Sequence, residues 1–168
     1  LAWLATFQCD QKQYDSAEKA AKILIDMKPD KGWLQTGWTL LGRVLRARNE
    51  RDAAIHAFDE ALKTGASTEY TIEASLRLGE MLSDTGHYDD AAKHLGDAAE
   101  RASAPDQLGA RANAYMALAR NEERRGSNEQ AVRYYLLVGL LFDDAKLVPE
   151  ALSNAATLLD KLGRPAEA

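Results

Sequence analysis

Five alanines constrain this chain more than any other feature. Ala17, Ala54, Ala91, Ala131 and Ala168 follow one another at intervals of 37, 37, 40 and 37 residues. Twelve positions before each stands a second small residue: Ala5, Gly42, Gly79, Ala119 and Ala156. The residue just before that one is apolar every time: Leu4, Leu41, Leu78, Leu118 and Ala155. A fixed inner spacing inside a near-constant outer period marks a stack of like units, each burying its apolar face against its neighbours. Such stacks present extended surfaces to partners.

Each unit carries two apolar stripes at helical spacing. In the second unit they are Trp38, Leu41 and Leu45, then Ala54, Ala57, Phe58, Ala61 and Leu62. The fold class expected is therefore all-α, built from helix pairs. Glycine at 42 lets a facing helix come close, and Ala54 does the same from the other side. Phe58 and Tyr135 then fill the space between neighbouring units. Gly86, Gly126 and Gly163 fall where first helices end, which suits a left-handed stop. Asp15, Asp52, Asp89 and Glu129 fall in or just before the first turn of second helices, where negative charge is favourable.

The pattern resembles the tetratricopeptide repeat (TPR), a helix-turn-helix unit of about 34 residues. Residues Trp38 to Leu45 reproduce its W-x2-L-G-x2-Y spacing, with Leu45 in the tyrosine place, and Ala54, Phe58 and Ala61 continue as A-x3-F-x2-A. Other copies run through Leu78, Gly79, Leu82, Gly86, Tyr88, Ala91, Leu95 and Ala98, and through Tyr115, Leu118, Ala119, Gly126, Ala131, Tyr135 and Val138. The first copy holds Leu1, Leu4, Ala5, Tyr14, Ala17, Leu24 and Pro29; the last holds Leu152, Ala155, Ala156, Leu159, Gly163 and Ala168. The resemblance covers nearly the whole chain. It implies a right-handed α-solenoid of antiparallel helix pairs in a single array, with repeats near 1–31, 32–68, 69–105, 106–145 and 146–168, the last cut short. Because the inner spacing never changes, the residues beyond the usual period belong between one second helix and the next first helix. Long-period repeats of this kind are similar to those of bacterial cell-envelope assembly proteins. The Sel1-type repeat is the fold alternative, but its glycine-rich loop signature is missing.

Composition narrows the function classes. Apolar residues make up 46% and charged residues 28%, as in ordinary soluble globular chains. No apolar run approaches the roughly 20 residues that span a bilayer. The longest candidate, Tyr134 to Phe142, suits a buried second helix, so no membrane insertion is expected. A net charge of −5 argues against general nucleic-acid binding. Cys9 is the single cysteine, which leaves no internal disulfide and is compatible with cytoplasm or bacterial periplasm. Leu1 already lies inside a first helix and Ala168 at the opening of a second. Polar caps, which complete repeat arrays carry, are missing at both ends. The expectation is an ordered fragment of a larger protein, whose apolar edge at Leu1, Trp3 and Leu4 allows self-association through repeat ends.

No catalytic constellation stands out. His56 and His94 fall on second helices of different repeats, and His87 lacks the neighbours a metal site needs. Asp89-Asp90 and Asp143-Asp144 are adjacent pairs, and adjacent helical residues do not face one another. Glycine-rich phosphate motifs are absent. No enzyme activity, cofactor or metal is expected.

What the resemblance implies instead is a concave groove lined by first helices. Carried over residue by residue, it takes Thr6 and Asp10, then Thr39, Arg43 and Arg46, then Glu73, Leu76, Glu80, Ser83 and Asp84, then Asn113, Met116, Arg120, Glu123 and Arg124, and last Ser153, Thr157, Asp160 and Lys161. The pairs Arg43/Arg46 and Arg120/Arg124 each project from one helix face. Guanidinium groups hold carboxylates by paired hydrogen bonds, so the groove suits an acidic protein or peptide partner. The competing reading is that Glu80 and Asp84 neutralise both pairs and leave a solvated surface. The carboxylate clamp for chaperone tails is not reproduced, since its Lys and Asn places hold Ala2, Thr6 and Leu40 in one register and Thr39, Arg43 and Arg77 in the next. The expected function is a non-catalytic scaffold that binds a peptide or partner protein. The alternative is a regulatory or targeting region of a larger multidomain enzyme or envelope-assembly protein.

Overall fold

A helix that must stop, turn and restart within three residues needs one residue in the left-handed region of backbone space. This chain places one five residues before each recurring small alanine. In the computed structural model, which describes residues 1–164, these residues are Lys12 (φ 58°), Asn49 (φ 62°), Gly86 (φ 83°), Gly126 (φ 88°) and Gly163 (φ 71°). The next N–H reaches back five residues each time: Gln13 to Gln8 at 2.8 Å, Glu50 to Leu45 at 2.9 Å, His87 to Leu82 at 2.9 Å, Ser127 to Glu122 at 2.8 Å and Arg164 to Leu159 at 2.9 Å. That bond closes a Schellman turn on the orphan carbonyls of the helix end. Gln13, Glu50, His87 and Ser127 then take nearly the same conformation, with φ from −86° to −82° and ψ from 60° to 73°. The three glycines stop their helices as the sequence predicts, and two side-chain-bearing residues do the same work elsewhere. Ala168, the last of the recurring alanines, lies outside the described residues.

The helices are α1 (Ala2–Asp10), α2 (Tyr14–Asp26), α3 (Lys31–Ala47), α4 (Arg51–Lys63), α5 (Glu69–Asp84), α6 (Tyr88–Arg101), α7 (Leu108–Arg125), α8 (Asn128–Leu141) and α9 (Leu147–Lys161). Asp15, Asp52, Asp89 and Glu129 occupy first turns of second helices, as expected. Between second and first helices, the three residues that the 40-residue interval adds to the preceding one fall one each in α6, the connection after it and α7. That connection contains a 3-10 turn at Pro105–Gln107. Among the described residues, no helix is long and apolar enough to cross a membrane.

The chain divides into two compact units, Leu1–Leu78 and Gly79–Ala168. In the first, Leu40, Leu41, Val44 and Leu45 of α3 are buried together with Ala54, Ala57, Phe58 and Ala61 of α4. Gly42 makes this pairing close: a Cβ there would stand 2.8 Å from two carbons of the Phe58 ring. Gly37 does the same for α2, since a Cβ would meet Ile25 Cγ1 at 2.9 Å.

In the second unit a Cβ on Gly79 would stand 2.6 Å from Leu95 Cγ and 3.1 Å from the Ala91 carbonyl oxygen. Leu95 occupies the place in its repeat that Phe58 and Tyr135 occupy in theirs. Met116, Ala119, Ala131, Tyr135 and Val138 form one core with Ala151, Ala155, Leu158 and Leu159 of α9. The apolar run from Tyr134 is not buried to its end. Leu140 and Leu141 are 76% and 71% exposed, because the last turn of α8 runs out past this core.

Candidate functional site

A cleft in the first unit is built from the starts of three first helices. At the start of α3, Asp30 Oδ1 accepts the N–H groups of Gly32 at 3.0 Å and Trp33 at 3.1 Å. This N-cap satisfies two orphan donors and fixes the turn that carries Trp33. The start of α5 is fixed from below by Gln35, which is fully buried. Its Nε2 donates to the carbonyl oxygens of Ala66 at 3.2 Å and Ala61 at 3.4 Å. Its Oε1 accepts from the Thr68 hydroxyl at 2.6 Å and lies 3.1 Å from the Thr71 hydroxyl. Thr68 and the first turn of α5, which carries Glu69 and Tyr70, are thereby tied to α3. On α1, the Trp3 indole stacks on Phe7, with centroids 5.4 Å apart and planes 12° from parallel.

The resulting cleft holds about 560 Å³ and is lined by Ala2, Trp3, Thr6, Asp30, Gly32, Trp33, Thr36, Thr68, Glu69 and Tyr70. Three aromatic rings and two carboxylates line it, and no basic side chain does. Trp3 is 74% exposed and Trp33 53%. Burial and the Glu69 carboxylate both push the Tyr70 phenol up from its ordinary value, so it stays protonated.

Thr6 is the one residue of the expected groove found here. Thr39 and Met116 are fully buried and offer no surface to a ligand, and Leu76 and Ser83 are buried too. The reason is the breadth of the covered face. α3 packs on α1, α2 and α4, and α7 on α6, α8 and α9, so burial extends beyond one stripe. The Thr39 hydroxyl donates to the Gln35 carbonyl oxygen at 2.9 Å within its own helix.

The arginines are engaged. Arg43 lies 3.3 Å from Glu73. Arg124 meets Asp84 at 2.7 Å and the Ser83 hydroxyl at 3.2 Å. Arg120 meets Glu150 at 2.6 Å. Arg46 and Glu80 also have partners. Asn113 is exposed and donates to the Gly109 carbonyl oxygen at 2.8 Å. The Thr157 hydroxyl donates to the Ser153 carbonyl oxygen at 2.9 Å, and Lys161 is exposed in the last turn of α9.

The remaining reactive groups are dispersed. Cys9 is half-buried, and burial pushes its thiol up, away from the nucleophilic thiolate. His56 meets Trp38 edge-on at 6.1 Å, and His87 Nδ1 lies 3.0 Å from the Thr85 hydroxyl. Among the described residues, no cluster of His, Cys, Asp and Glu could hold a metal ion.

The sequence held one clue to the cleft that motif matching passes over. Trp33 and Tyr70 stand one 37-residue period apart, at the first turns of successive first helices.

No protein-family model matches the chain, and no curated protein matches it. Solved structures do. The chain is similar to crystal structures of the nearly identical TPR-like repeats assigned to a Podosopora anserina kinesin light chain. A point variant of that protein matches at TM-score 0.75 and 14% identity, covering 99% of this chain and 86% of that one. The unsubstituted form matches at TM-score 0.74 and 13% identity, covering 99% and 87%. At such identity the shared property is the fold, and this chain folds as an all-α, TPR-like array of helix pairs.

Proposed function

We propose that this chain is a non-catalytic protein-interaction scaffold, and that it holds a peptide segment of its partner in the cleft between the starts of α1, α3 and α5. The observation that carries this reading is the cleft itself: about 560 Å³, open to solvent, with exposed indoles on a rigid floor. Exposed aromatic side chains on a fixed frame are what binding hot spots are made of. The floor is fixed because Gln35 ties the α4–α5 loop to α3 through four polar contacts. The dispersal of histidine, cysteine and carboxylate groups supports binding over chemistry.

The test is selection of a displayed random-peptide library on residues 1–168, with Trp33→Ala as the counter-target. Trp33 is half exposed, so its removal leaves the core intact. The expected result is an enriched linear motif that binds the parent chain and not Trp33→Ala. A folded chain that enriches no motif, or a motif indifferent to Trp33, would overturn the reading.

A further inference from the structure

We infer that the occupant of this cleft is a lysine or arginine side chain presented by an extended segment of another protein; this deepens the scaffold reading above and rests on it. Charge is the first argument. Asp30 and Glu69 are the charged groups lining the cleft, and neither has an ion-pair partner among the described residues. The starts of α1, α3 and α5 oppose them with about half a positive charge each. Two full charges against three halves leave the cleft negative by about half a unit. The α3 and α5 ends are also partly met, by Asp30 Oδ1 on Gly32 and Trp33 and by the Thr68 hydroxyl on the Tyr70 N–H at 3.2 Å. An acidic segment would meet two carboxylates there, with three of the N–H groups of α3 and α5 already taken.

The aromatic rings are the second argument. Indole faces attract ammonium and guanidinium groups through the ring quadrupole, tryptophan most strongly. Trp3 and Trp33 both stand exposed in a cleft with carboxylates, and the Phe7 ring stacked behind Trp3 holds its orientation. An apolar occupant would gain from the rings and leave the carboxylates unpaired. A cationic side chain with an aliphatic stem satisfies both, and a volume of about 560 Å³ leaves room for its flanking backbone.

The experiment uses three peptides on one Gly-Ser frame, bearing three lysines, three norleucines or three glutamates. Binding is read from the indole N–H resonances of Trp3, Trp33 and Trp38. Trp38 does not line the cleft and serves as the internal reference. The lysine peptide should move Trp3 and Trp33 but not Trp38, and the other two should move neither. Asp30→Asn keeps the N-cap and removes the charge. Together with Glu69→Gln it should weaken the lysine peptide at least about fivefold, as should Trp33→Ala alone. Equal binding of the norleucine or glutamate peptide, or an unchanged affinity in the double variant, overturns the cation assignment. Shifts of Trp3 and Trp33 that track protein concentration without peptide would make the occupant a second copy of the chain and overturn it too. If selected library peptides still move Trp3 and Trp33 whatever their charge, only this inference fails. If no peptide moves them, the scaffold reading fails as well.

Discussion

Gly42 and Phe58 should behave as one unit. A methyl group on Gly42 would sit 2.8 Å from the Phe58 ring carbons, well inside ordinary contact, and Phe58 is fully buried and cannot swing out. Overpacking of this kind costs about 1–3 kcal/mol. Against it, alanine in a helix interior gains about 1 kcal/mol over glycine. Gly42→Ala should therefore destabilise by about 0–2 kcal/mol. Phe58→Ala removes the ring and should cost about 3–5 kcal/mol. In that background the clash is gone, and Gly42→Ala should become stabilising by about 1 kcal/mol. The predicted coupling between the two sites is thus about 1–3 kcal/mol.

The first repeat already carries this double variant in its own sequence. Ala5 and Ala21 stand at the places of Gly42 and Phe58, and both are buried. Urea titration followed by tryptophan fluorescence is the assay. Trp3, Trp33 and Trp38 all lie in the first unit, so the signal reports that unit alone, and circular dichroism reports the remainder. An osmolyte can keep Phe58→Ala folded, since excluded solutes strengthen burial. The reasoning is refuted if Gly42→Ala has the same effect in both backgrounds, for the ring would then not be what keeps residue 42 small.

Three further outcomes follow from particular contacts. Lys12 holds a left-handed backbone with a side chain attached, so Lys12→Gly should raise stability by about 0.5–1 kcal/mol, and Asn49→Gly by less; lowered urea midpoints would contradict this. Gln35→Leu takes the acceptor from the Thr68 hydroxyl and leaves the Ala66 and Ala61 carbonyl oxygens to the Thr71 and Thr64 hydroxyls alone, and should cost about 1–3 kcal/mol while speeding amide exchange in residues 64–71 relative to α4. Glu18 is held below the ordinary glutamate range by its hydrogen bond to Lys22 and by Arg48, each at 2.6 Å. Its contribution, under about 1 kcal/mol for so exposed a network, is present above the unfolded value and lost as pH falls through the lowered one. The stability gap between the parent and Glu18→Gln should accordingly close in acid, and a gap that widens there would reverse the assignment.

The fold was legible because its constraints fall on residues that admit few substitutes. A ring 2.8 Å from where a Cβ would stand keeps residue 42 a glycine, and Leu95 imposes the same on Gly79, whereas the fourth repeat admits Ala119 with Tyr135 at the facing place. Left-handed stops could be read at Gly86, Gly126 and Gly163, where residue type announces backbone conformation. At Lys12 and Asn49 the same conformation is reached by residues that rarely adopt it, and the sequence is silent. Side-chain exposure on first helices was less legible. A stripe drawn for one partner puts Thr39 and Met116 in solvent, but each helix has neighbours on several sides and both residues are covered. Ion pairing was half legible: Asp84 does meet Arg124, whereas Arg43 takes Glu73 and Arg120 takes Glu150.

The same period that fixes the scaffold also shows where it is free to vary. Nine residues before the small residue of each first helix stand Trp33, Tyr70, Ala110 and Leu147 in successive repeats. The small place, held by Ala5, Gly42, Gly79 and Ala119, stays within a narrow size range because a side chain of the facing helix sets it. The first-turn position faces no such limit, and it changes from indole to phenol to methyl to isobutyl along the chain. Two neighbouring repeats hold aromatic rings there, and in the first unit these line a cleft with Trp3, which stands at a different phase. A search for the repeat's conserved small and apolar places passes over all three. If the cleft is the binding site proposed above, specificity is written in first-turn positions that vary along the chain, and the Asp30, Glu69, Trp3 and Trp33 variants address it without touching the Gly42–Phe58 and Gly79–Leu95 contacts.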